Sequence, residues 1–146
     1  MNTTDISSIM KKLCANEFTG VFPSNHLPRY VKGECVLFVA NTDSCDRGGE
    51  HWISIYIDEF GNGEYFDSFG FYPEKSFNDY MSKNCKRWTL NARRLQSFNS
   101  DYCGAFCVFY CAYRCKGFNL DTIVSWFTND YSMNDRLVFN FARNRK

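Results

Sequence analysis

The segment from Cys103 to Arg114, CGAFCVFYCAYR, is apolar nearly all round a helical wheel, and nothing else in the chain constrains the fold as strongly. A helix without a polar face lies inside a domain, so the remaining chain must supply layers around it. The helix also carries cysteines at four-residue steps: Cys103, Cys107, Cys111 and Cys115. That spacing strings them along one stripe, where they cannot converge on a single ion. With no CxxC pair in the chain, no metal site is expected. Cys107, Cys111 and Cys115 read as small core residues.

The flanking chain offers those layers. Ile6, Ile9, Met10 and Leu13 recur at helical spacing and predict a helix over Asp5–Cys14, capped by Thr3 or Thr4. Phe18–Gly33 holds Gly20, Pro23, Pro28 and Gly33 and reads as a loop. Cys35–Ala40 reads as a buried strand, and Asn41–Gly49 as a polar loop. In His51–Asp58 the isoleucines 53, 55 and 57 alternate with Trp52, Ser54 and Tyr56, so one row faces the core and His51 opens it. The turn Phe60-Gly61-Asn62-Gly63 returns the chain through a strand at Glu64–Phe69. A helix from Pro73-Glu74 to about Cys85, a strand near Trp88–Leu95, and helices over Asn119–Phe127 and Met133–Arg143 complete the pattern. The expected architecture is α+β, a mixed or antiparallel sheet packed against helices with the buried helix at the centre.

A chain of 146 residues predicts one domain, 1–146. With 45% hydrophobic and 23% charged residues it is not a disordered chain. A net charge of +1 argues against a surface built throughout to hold nucleic acid, while leaving room for a local basic patch. The first twelve residues carry no apolar signal core, and the longest apolar run falls short of the ~20 residues that span a bilayer. The expectation is a reducing compartment in which the eight cysteines are mostly thiols.

Cys103 differs from the other cysteines by position. It opens the buried helix behind Ser100 and Asp101, the cap candidates. There, unpaired backbone N–H groups favour a thiolate and can hold an oxyanion. A nucleophilic thiol needs a base, and the chain has two histidines, His26 in the Pro-rich loop and His51 at a strand start. A histidine in a core-facing row is commonly a satisfied structural residue; pairing with Cys103 is what singles out His51. Asp67, on the strand returning beside His51, is costly to bury without a partner and suits the role of orienting the imidazole. Gln96 precedes the turn before Cys103. Its amide suits either an oxyanion donor or a surface residue, and the residue type does not choose.

Three stretches, NTDSCDRGGEHW (Asn41 to Trp52), YFDSFGF (Tyr65 to Phe71) and QSFNSDYCGAFC (Gln96 to Cys107), resemble the adenain family of adenovirus maturation proteases, within the wider papain-related group that includes SUMO-specific proteases. The resemblance implies that fold, with His51 as base, Asp67 as orienter, Gln96 as oxyanion donor and Cys103 as nucleophile. Adenovirus enzymes place Glu where Asp67 stands; Asp is usual in the SUMO-protease branch. It further implies a monomeric cysteine endopeptidase that cuts viral capsid or core precursors after Gly in Leu-x-Gly-Gly or Leu-x-Gly-x contexts during virion maturation. Such an enzyme works in the host nucleus or cytoplasm and in the virion, away from membranes. Trp52 would wall the substrate groove, unless it is a buried structural residue. The chemistry needs no cofactor, but Cys85 stands where the family bonds an activating capsid-derived peptide by a disulfide. DNA is that family's second activator, for which Lys83/Lys86/Arg87, Arg93/Arg94 and Arg143/Arg145/Lys146 offer basic clusters. The rival functions are a deconjugating protease for ubiquitin-like modifiers and a non-catalytic DNA-binding or interaction protein on the same fold.

Overall fold

The computed structural model describes residues 1–42 and 51–146; most of the polar stretch before His51, Cys45 included, lies outside them. The buried helix is α3, Cys103–Cys115, and residues 103–112 are all buried. Around it the chain runs α1 (Thr3–Leu13), β1 (Gly20–Pro23), β2 (Val36–Asn41), β3 (Trp52–Ile57), β4 (Asn62–Phe66), α2 (Lys75–Asn84) and β5 (Arg87–Leu90). After α3 come α4 (Leu120–Ser125) and α5 (Tyr131–Arg143). No helix among the described residues is long and apolar enough to cross a membrane.

The strands form one sheet in the order β1-β2-β3-β4-β5. The central pairs β2–β3 and β3–β4 are antiparallel, whereas β1 and β5 add to the edges in parallel, so the sheet is mixed. β1 is a correction to the loop expected over Phe18–Gly33. Gly20 and Pro23 bound a four-residue strand whose pairing with Phe38–Asn41 is nonlocal and leaves no local signature.

Both faces of β3 are core. Ile53, Ile55 and Ile57 pack with Phe38, Tyr65, Phe77 and Met81 beneath α2. Trp52 joins Leu37, Val39 and Phe66 against α1 and α3, and Ser54 is fully buried on that side. The alternation in HWISIYID therefore separates two buried layers, not core from solvent. Two glycines permit close approaches. A Cβ on Gly63 would stand 2.5 Å from the Cys85 sulfur. At Gly70 (φ +72°) it would stand 2.8 Å from the Arg93 carbonyl carbon, so only glycine lets the loop after β4 lie on the loop after β5.

The α1 cap is Asn2, not Thr3 or Thr4. Its side chain accepts the Asp5 N–H, and the Asp5 carboxylate accepts the Asn2 N–H. α1 lies alongside α3 and points the same way: Met1 reaches Gly104, and at the other end Cys14 is disulfide-bonded to Cys115 across 101 residues of sequence. This corrects the reading of Cys115 as a plain core thiol. Cys107 and Cys111 are fully buried and reduced, as the helix pattern predicts.

Candidate active site

His51 stands immediately before β3 and Asp67 immediately after the antiparallel β4, so hairpin pairing brings the two to the same end of the sheet. His51 Nε2 donates to Asp67 Oδ1 at 2.9 Å; a carboxylate only accepts, so the proton is on Nε2. The same oxygen accepts the Phe69 N–H at 2.8 Å. Asp67 itself is held through its backbone. Its N–H donates to Asn91 Oδ1 (3.0 Å) and its carbonyl accepts from Asn91 Nδ2 (2.6 Å), a side-chain amide taking the place of the next rung of the β4–β5 ladder. Asn91 is thus a positioning residue that sequence reasoning missed; an asparagine just past a strand carries no pattern to mark it.

The other imidazole nitrogen, Nδ1, is buried and has no hydrogen-bond partner among the described residues. Cys103, 5% exposed and reduced, sits at the first position of α3. Burial pulls the His51 pKa down, but the hydrogen bond to Asp67, and after it the Cys103 side chain, push it from 6.5 up to about 9. At neutral pH the arrangement therefore favours an imidazolium beside Cys103. No side chain caps α3: the residue before Cys103 is Tyr102, and the expected caps Ser100 and Asp101 do not serve. The positive end of the helix dipole at Cys103 favours a thiolate or an oxyanion.

Gln96 is fully buried, which answers the surface alternative. Its Oε1 accepts from Ser68 Oγ at 2.5 Å, and its Nε2 donates to the Ser100 carbonyl and hydroxyl, each at 3.0 Å. The amide is pinned three residues from the helix that begins at Cys103, with its N–H groups held by the turn. Backbone bonds from Leu95 and Gln96 to the Ser68 carbonyl tie this segment to the strand end that carries Asp67.

Trp52 is 3% exposed. Its indole N–H donates to the Met1 carbonyl at 3.2 Å, and its ring lies against Gly104, so Trp52 packs as a buried residue beside the start of α3. Cys85 is half-buried at the opposite end of the β3–β4 hairpin, beside a cavity of about 350 Å³ lined by Tyr30, Lys32, Lys83 and Lys86. Burial first, then the Asp58 charge, push its thiol up to about 11. Of the basic clusters, Arg93 bonds to the carbonyls of Val124, Phe127 and Thr128 at the end of α4, and Arg94 lies between the Phe98 and Tyr131 rings. Both arginines are engaged inside the fold. Among the described residues, His26 shares no hydrogen bond with His51, Asp67, Gln96 or Cys103; its N–H donates to the Pro23 carbonyl.

A mixed five-stranded sheet packed against a buried helix that opens on a cysteine is a fold shared with solved protease structures. Two crystal structures of the ASFV pS273R protease match with TM-scores of 0.67 and 0.65 at 18% and 20% identity, over 94% of this chain and 66% and 65% of those chains. The chain thus spans about two thirds of that protease's length. ChlaDub1 from Chlamydia trachomatis matches with a TM-score of 0.57 at 14% identity over 75% of this chain and 58% of its own. The central domain of Lpg1148 from Legionella pneumophila has the same score and identity over 100% and 98%. No family model and no curated protein matches the sequence.

Proposed function

We propose that this chain is a cysteine endopeptidase of the adenain type. The observation that carries the reading is the His51 imidazole, bonded at Nε2 to buried Asp67, in a fold that puts a reduced Cys103 at the start of the central helix α3. In the cycle, the Cys103 thiolate attacks a peptide carbonyl and forms a C–S bond. The oxyanion is held by the Cys103 backbone N–H and by Gln96 Nε2 once an N–H leaves Ser100. The tetrahedral adduct collapses, the C–N bond breaks, and His51 Nδ1 gives its proton to the departing amine. Water then attacks the thioester, with His51 now the base; the acid leaves and the thiol is restored.

Substrates are precursor proteins of a viral particle, cut after Gly-containing motifs of the Leu-x-Gly-Gly or Leu-x-Gly-x kind. This rests on the resemblance of the three quoted stretches and on the ASFV protease among the structural neighbours. A peptide activator at Cys85 would have to bond a thiol whose pKa is about 11, one that stays protonated at neutral pH and exchanges slowly. DNA, on the same resemblance, would meet Lys83, Lys86 and Arg87 rather than the engaged Arg93 and Arg94.

The test is hydrolysis of Leu-x-Gly-Gly peptides beside ubiquitin-like fusion proteins. Turnover of the peptides, lost in Cys103→Ala, is the expected result. Turnover of the fusions alone assigns a deconjugating enzyme, and turnover of neither, with no activator effect, assigns a binding protein.

A further inference from the structure

Three aromatic rings continue outward from the imidazole. Phe69 lies 5.1 Å from the His51 ring, Phe98 lies 5.8 Å from Phe69, and Phe71 contacts both. Their planes fall within 17–32° of one another, so they form a slab. Phe98 is 64% exposed and Phe71 43%, so the slab contributes little to the core and keeps apolar surface in water.

The slab is also braced by neighbouring side chains. The Arg94 guanidinium sits 3.8 Å from the Phe98 centroid and 3.9 Å from the Tyr131 centroid, clamping Phe98 from behind. Gly70, with its positive φ, sets the loop that carries Phe69 and Phe71. A braced, stacked, exposed aromatic surface is pre-organised for contact, because little ordering entropy remains to be lost.

We infer that Phe98, with Phe71 and Phe69, is the subsite for a large apolar side chain on the leaving-group side of the scissile bond. The inference rests on the protease reading above. His51 must give its proton to the departing amine, so the chain attached to that amine leaves across the imidazole, and the slab is the surface continuous with that ring. The centroid spacings of 5.1 and 5.8 Å put Phe98 beside the second or third residue of an extended chain, at ~3.3 Å per residue. The occupant is therefore a substrate segment with Leu, Met or an aromatic residue there.

The experiment uses matched peptides with one Leu-x-Gly-Gly acyl half and either Leu or Ser at the second and third positions after the cleaved bond. The parent protein prefers the Leu peptide in kcat/KM by roughly five- to tenfold, the size of one aromatic contact. Phe98→Ala brings that ratio to about one, Phe98→Leu retains most of it, and Phe60→Ala, at the far end of the sheet, keeps the parent ratio. A parent ratio of one, or a ratio that survives Phe98→Ala, overturns this inference and leaves the protease intact. Failure of the parent to cut any peptide overturns the protease reading and the subsite with it.

Discussion

At the scale of single residues, the site depends on the His51 imidazole, whose Nε2–H is held by Asp67. The Asp67 bond and the Cys103 side chain raise His51 to about 9 although burial alone would lower it. Asp67→Asn removes the carboxylate, so the His51 pKa falls from its raised value of about 9, read by NMR titration of the imidazole. The same variant lowers kcat/KM by on the order of 10³-fold. The folded protein holds this proton more tightly than the unfolded chain does. His51 therefore adds stability that is complete below about pH 6.5 and is lost as pH rises through about 9, a decline that denaturant titrations across that range will show and His51→Gln will flatten. The pairing of His51 with Asp67 and the place of Cys103 at the start of α3 were legible because a base, its orienter and a nucleophile must be particular residue types in particular places. Asn91 and Ser68 were not, since each acts only through a backbone or an amide that the fold brings to it. The target of the Gln96 N–H groups was equally hidden, because Ser100 reads as a helix cap until the turn is seen.

At the scale of elements, the site depends on two loops lying on each other. Gly70 allows the loop after β4 to touch the backbone of Arg93, and the Ser68 carbonyl takes the N–H groups of Leu95 and Gln96. Gly70→Ala forces a side chain into a positive-φ position and against that backbone, at a cost of about 1–3 kcal/mol seen as a lower melting temperature. It also lowers kcat/KM, since Asp67 and Gln96 flank the contact. The central helix, the hairpin and the α+β class were readable from apolar runs and turn glycines. The parallel edge strand β1 was not, because it is four residues long and its partner lies far along the chain. Nor was the second buried face of β3: alternation reports that two faces differ, and here Ile53 and Trp52 differ only in which core they enter.

At the scale of the whole molecule, the Cys14–Cys115 disulfide joins the far ends of α1 and α3, helices whose near ends meet at Met1 and Gly104 beside Cys103. Closing a loop of about a hundred residues restricts the unfolded chain, and its loss in Cys14→Ser costs about 2–5 kcal/mol, measured by denaturation. No spacing rule could have paired cysteines so far apart; only the parallel packing of the two helices does. The central claim, that the fold assembles a reactive His51–Cys103 pair, is tested most directly by alkylation with iodoacetamide at pH 5–6 and mapping of every cysteine. An ordinary thiol, with a pKa of about 8.5, is almost wholly protonated there and reacts slowly. The account predicts that Cys103 alone is labelled and that His51→Ala abolishes the selectivity. If Cys103 reacts no faster than exposed Cys35, or keeps its selectivity without His51, the pair does not exist as described.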